Sequence, residues 1–140
     1  MNLNAARGLI ERASESLDGA EYALRRGHFA NATSEAQRTV ELSIKAALYA
    51  VRVEPPRGHD IHDWLLRHRD AFPPAVRSEV GEWAMAMSEL ARLREAAAYG
   101  EPRAGRTPGA IFFDKRETGR LVGRARSIHE SVSGFLGALR

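Results

Sequence analysis

Residues 29–58 read FANATSEAQRTVELSIKAALYAVRVEPPRG. Phe29, Ala32, Ala36, Val40, Ile44, Ala47 and Val51 recur along it at steps of three and four. A backbone with 3.6 residues per turn brings such a series onto one face, so the spacing predicts an amphipathic helix over 29–53. Glu41 and Lys45 stand one turn apart and can pair along its surface, an ordinary intrahelical salt bridge. Pro55 and Pro56 then stop the helix, because proline has no N–H to give the preceding turn and its ring clashes with it.

Upstream, Ile10, Ala13, Leu17, Ala20 and Leu24 mark a first amphipathic helix over 2–26. It closes at RRGHF, with Arg25 and Arg26 near the negative helix end and Gly27 at the stop. Only a few residues join the two helices, which predicts an antiparallel hairpin. Downstream, GHDIHDWLLRH (58–68) gives a short helix with Asp60 as cap and Asp63 in its first turn. Ile61, Trp64 and Leu65 are expected to face inward.

The third long helix is expected to open at PPAV (73–76), where Pro74 suits a first-turn position. Its stripe runs Val76, Val80, Trp83, Met87 and Leu90, and the next step lands on Arg94. A connection from Tyr99 to Phe113 follows, with Pro102, Gly105, Pro108 and Gly109 in it. Loops of about 15 residues are uncommon in a small domain and are often functional. The last helix begins at Asp114, a good cap, with Glu117 placed to complete a capping box. Leu121, Ala125, Ile128, Val132, Phe135 and Leu139 form its apolar stripe. No alternating strand pattern or internal repeat interrupts the series. The predicted fold is all-α, an up-and-down bundle of four main helices plus one short helix, in a single domain over residues 1–140.

With 140 residues and 44% hydrophobic content, the chain can bury a core of its own. It has no run near the roughly 18 apolar residues that a membrane span needs, and no charged-then-apolar leader. A cytoplasmic protein with no membrane partner is therefore expected. The chain has no cysteine, which excludes disulfides, thiolate metal sites and cysteine nucleophiles. Lys and Arg total 21 against 18 Asp and Glu, a net charge of +3. The excess lies in residues 101–140, and nearly all the basic residues are arginine, whose planar fork suits phosphate. A GC-rich coding bias is the simpler account of the arginines and alanines.

Searching for chemistry finds no glycine-rich phosphate loop, nucleophile elbow or paired-carboxylate motif. His59 and His62, beside Asp60 and Asp63, have metal-like spacing, but a third and fourth ligand are not evident. His28, His68 and His129 have no local context that raises them above surface histidines. Neither a metal nor an organic cofactor is expected.

Several stretches, in order, resemble the HEPN domains of bacteria and archaea. They are the alanine-rich first hairpin, ATSEAQRTVELSIKAAL (32–48), GHDIHDWL (58–65) and REAAAYGEP (94–102). The last is similar to the Arg-x4-Tyr-Gly segment that ends the third helix in one branch of the family. The resemblance implies a helical homodimer in which the third helices of two subunits meet along a cleft. It also makes His59 a turn residue that holds the short helix. Many family members are metal-independent ribonucleases, often toxins encoded beside a nucleotidyltransferase-type antitoxin, with an arginine followed four to six residues later by histidine. Here the residues beyond Arg92 and Arg94 include Ala97, Ala98, Tyr99 and Gly100, and that histidine is missing.

The departure matters chemically. RNA cleavage without a metal needs a base for the 2′-hydroxyl proton and a cation for the phosphorane charge. Histidine, with a pKa near 6.5, suits the base role, whereas tyrosine, near 10, stays protonated at neutral pH. Arg94 and Tyr99 remain the catalytic candidates, and Arg92, Arg94, Tyr99 and Arg103 the ligand-binding ones. Each has a plainer role. Arg94 caps the helix end, Tyr99 anchors the following loop, and Arg92 and Arg103 are solvated surface charges. Three functions fit. The first is a homodimer that binds RNA or a nucleotide in an intersubunit groove, within a toxin–antitoxin or nucleotidyltransferase-linked system. The second is an active metal-independent RNase toxin, and the third is a non-catalytic protein interaction module.

Overall fold

The computed structural model describes residues 2–57, 61–99 and 114–139, with backbone alone for 94–99. Its elements are α1 (Leu3–Arg25), α2 (Phe29–Ala50), α3 (His62–Arg67), a 3-10 turn (Arg69–Ala71), α4 (Pro74–Arg77), α5 (Val80–Tyr99) and α6 (Lys115–Ala138). Four long helices form the all-α bundle, and the described residues contain no strand.

The first hairpin closes as the sequence indicates. Gly27 takes φ 74, the Gly27 N–H donates to the Leu24 carbonyl at 3.1 Å, and the His28 N–H donates to that of Ala23 at 2.8 Å. This pair of bonds satisfies carbonyls that the end of α1 would otherwise leave unpaired. At the other end of α1, Asn2 accepts from the Ala5 N–H at 3.1 Å. Ala13, Leu17 and Ala20 are buried, while Ile10 and Leu24 sit at the core margin.

α2 is buried on more than one stripe because α1, α5 and α6 all pack against it. Beside the expected Ala32, Ala36, Val40, Ile44 and Ala47, it also buries Ala46, Leu48 and Ala50. It ends three residues before Val53 (the expected last residue), and its stop is not the proline pair. Arg52 adopts φ 64, the Arg52 N–H donates to the Tyr49 carbonyl at 3.1 Å, and the Val53 N–H donates to that of Leu48 at 3.0 Å. This repeats the closure of α1, with arginine in the left-handed position that glycine takes there. A side chain costs about 1 kcal/mol or more in that conformation. Arg52→Gly is therefore expected to raise the unfolding free energy by about 1 kcal/mol, offset in part by the freer unfolded chain. Urea unfolding followed by circular dichroism reads the shift.

Between α2 and α5 the chain makes a compact corner. Phe72 is fully buried against Trp83, with ring centroids 5.8 Å apart and edge to face, and it also meets Phe135 at 6.3 Å. Ile61 and Leu65 are buried as expected, but Trp64 stays half-buried and donates its indole N–H to the Glu54 carbonyl at 3.1 Å. The helix expected to run unbroken from Pro74 is interrupted at residues 78 and 79. Arg77 folds its guanidinium back onto the Phe72 carbonyl at 2.8 Å, and the Glu79 N–H bonds three residues back to Val76 at 2.9 Å. The tightened turn ends α4, and α5 starts afresh at Val80. Asp60, the expected cap of α3, lies outside the described residues.

Candidate functional site

Cross-helix contacts fix the direction of each element. The Asn2 N–H reaches the Tyr49 carbonyl, so the start of α1 lies by the end of α2. Arg126 pairs with Glu21, while His129 Nε2 approaches the Ile10 carbonyl at 3.4 Å, so α6 runs antiparallel to α1. Ser131 donates to Glu79 at 2.8 Å, and Arg124 reaches Glu82 at 2.9 Å and Glu89 at 3.0 Å, so α5 also runs antiparallel to α6. One end of the bundle therefore gathers the close of α5, the start of α6 and the turn between α1 and α2. That end collects exposed cations from three parts of the chain: Arg25 and Arg26, Arg92, and Lys115 and Arg116.

Not every cation there is available. Arg120 bonds Glu117 at 2.7 Å and Glu89 at 3.3 Å, and Arg124 bridges Glu82 and Glu89. These ion pairs join α5 to α6 through long side chains. Asp114 caps α6 by accepting from the Glu117 N–H at 2.7 Å, but the Glu117 carboxylate turns to Arg120, so only half of the capping box forms. The hydrogen bond from Arg120 holds the Glu117 carboxyl below its ordinary pKa, with burial opposing it, and the pairing raises that of Arg120. A depressed carboxylate pKa contributes stability at neutral pH that is lost as acid protonates the group. The pair is solvent-exposed, so the contribution is a few tenths of a kcal/mol. Glu117→Gln is expected to flatten the acid limb of stability below about pH 4 by that amount, read by urea midpoints across pH.

α5 presents two different faces. Val80, Trp83, Ala84, Met87 and Leu90 are buried. On the opposite side Gly81, Met85, Ser88 and Arg92 follow one another at steps of three and four. Met85 is 62% exposed, and among the described residues Arg92 makes no ion pair. A stripe with one exposed apolar side chain between two small residues thus ends in a guanidinium without an ion pair among the described residues. Arg94 and Tyr99 lie on the last two turns of the same helix, where the backbone is helical through Tyr99. Arg103 and the rest of 100–113 lie outside the described residues, as does His59.

The remaining candidates have local partners. Lys45 donates to Glu41 at 3.0 Å. His62 meets Asp63 at 3.1 Å, and His68 Nδ1 meets the Trp64 carbonyl at 2.9 Å. Among the described residues no three His, Asp or Glu side chains group as metal ligands. No described helix is long and apolar enough to cross a membrane. Reading single helices had not shown that Arg25, Arg26, Lys115 and Arg116 share an end with Arg92. The predicted up-and-down order implies a shared end, and the charge excess of the last 40 residues agrees with it.

The family described as HEPN domain matches residues 6–135, nearly the whole bundle. The chain belongs to the HEPN domain family. Membership associates it with nucleotide- and RNA-related functions in general, and HEPN domains commonly dimerise. No curated protein and no solved structure gives a significant match.

Proposed function

We propose that two copies of the chain pair through the outer face of α5 and bind RNA or a nucleotide where the helix ends meet. The observation that carries this reading is the stripe Gly81–Met85–Ser88–Arg92, an exposed methionine between two small residues with a cation at its close. Small residues let two helices approach closely. The exposed Met85 in its middle is adaptable apolar surface of the kind that interfaces cover. Pairing would bring the two ends of α5 together, each with Arg92 and Tyr99 in register on the outer stripe, Arg94 on the core-side stripe of the same last turns, and Arg103 on the following segment. Phosphate oxygens would accept from the guanidiniums, and their affinity would fall steeply with salt.

Binding, rather than cutting, is the activity these residues suit. Arg94 can hold a phosphate, but Tyr99 as a neutral phenol can only donate a hydrogen bond or act as a weak acid. An RNase toxin would need a base that the motif lacks, and a nucleotidyltransferase-type antitoxin would be its natural neighbour. Incubating the protein with end-labelled single-stranded RNA in EDTA separates the two readings. RNA that is bound and stays intact supports binding alone, and cleavage products would overturn it. Met85→Arg places charge in the middle of the proposed interface and is expected to convert the dimer to a monomer in light scattering. A monomeric wild type would contradict the pairing.

A further inference from the structure

A separate pocket lies along the first hairpin, and no described residue of α5 lines it. Between α1 and the outer side of α2 the structure leaves an open cavity of about 370 Å³. Gln37 and Glu41 line it, although they are only 1% and 6% exposed. A buried carboxylate must be compensated. Lys45 donates to its Oε1 at 3.0 Å and Gln37 to its Oε2 at 3.3 Å. Leu9 and Leu42 add apolar surface to the same pocket.

The charge on the rim is different. Arg12 and Arg38 both line the opening, both are exposed, and neither makes an ion pair among the described residues. Since Lys45 and Glu41 offset each other, the two guanidiniums face only Glu35 among the lining residues. Its carboxylate lies back against α1, where a Cβ on Gly19 would stand 3.2 Å from Oε2. The cavity therefore has a cationic rim, polar groups already fixed in place and an apolar wall.

We propose that this cavity is a second ligand site and takes a small organic phosphate. A phosphate monoester carries close to two negative charges at neutral pH and offers three acceptor oxygens. Two arginine forks match that geometry better than a single carboxylate would. The body of the ligand rests on Leu9 and Leu42, beside the amide of Gln37 that Glu41 holds in place. The volume falls at the lower end of the roughly 300–1,000 Å³ usual for small-molecule sites. The site does not depend on pairing through α5.

The test is titration calorimetry of the full chain with AMP and phenyl phosphate, using adenosine as the control without an anion. Saturable binding of the two phosphates, with none of adenosine, is the expected result. Arg12→Ala and Arg38→Ala are each expected to weaken it about tenfold or more, and the same loss is expected for phenyl phosphate in an Arg92→Ala background, which removes the nucleotide binding proposed at the α5 end. Both side chains are exposed, so neither substitution disturbs core packing. Absence of saturable binding overturns the site, as does binding indifferent to Arg12 and Arg38. Binding abolished in Arg92→Ala assigns the ligand to the α5 end and overturns this site while favouring the other. RNA binding that survives Arg12→Ala keeps the two proposals apart.

Discussion

Trp83→Ala is expected to lower the unfolding free energy by about 3–5 kcal/mol, the usual cost of emptying a large aromatic site. Trp83 is 1% exposed and packs edge to face on Phe72, which in turn meets Phe135. The indole therefore links α5 to the corner before α4 and to the end of α6. A domain of this size has a total stability of about 5–15 kcal/mol, so the variant sits near the threshold of folding. Its melting temperature should fall by about 10 °C or more. Trp83→Phe keeps an aromatic ring against Phe72 and should cost clearly less. If alanine were tolerated with a shift of only a degree or two, the account of the core at this corner would be wrong.

The second large effect concerns binding. Replacing Arg92 and Arg94 together by alanine is expected to weaken affinity for single-stranded RNA by about a hundredfold or more, since charge-assisted hydrogen bonds are worth about 1.5–3 kcal/mol each. The dependence of log K on log salt should flatten by about one unit for each phosphate that is no longer neutralised. Arg120 and Arg124 provide the contrast. They are engaged with Glu82, Glu89 and Glu117, so removing one should loosen α5 from α6 more than it weakens RNA binding. A fluorescence-anisotropy series over salt measures both affinity and slope.

Helix periodicity carried most of the fold. The stripes of 29–53 and 115–139 needed no tertiary information, and Gly27 announced its own turn. Two boundaries were missed for identifiable reasons. The end of α2 is made by Arg52 in a conformation for which glycine is the usual signal, so nothing in the residue type marked it. The break before α5 is a tightened turn in which the Glu79 N–H bonds back to Val76, beside an Arg77 side chain that reaches the Asp70 and Phe72 carbonyls ahead of α4, and spacing reveals neither. The candidate site was only partly legible. Arg92 could be named from its neighbours, but its alignment with Met85 on an exposed face requires knowing which side of α5 the core uses. The gathering of cations at one end follows from the up-and-down order, but which of them are held in ion pairs depends on contacts between α5 and α6 that no local pattern encodes.

The most direct test of the central proposal is photocross-linking of 4-thiouridine-containing single-stranded RNA to the full chain, with the attached peptides mapped by mass spectrometry. Cross-links concentrated in peptides from the last turns of α5, in a protein that migrates as a dimer, are the predicted result. Cross-links spread over the surface, or confined to the outer side of α2, would contradict it.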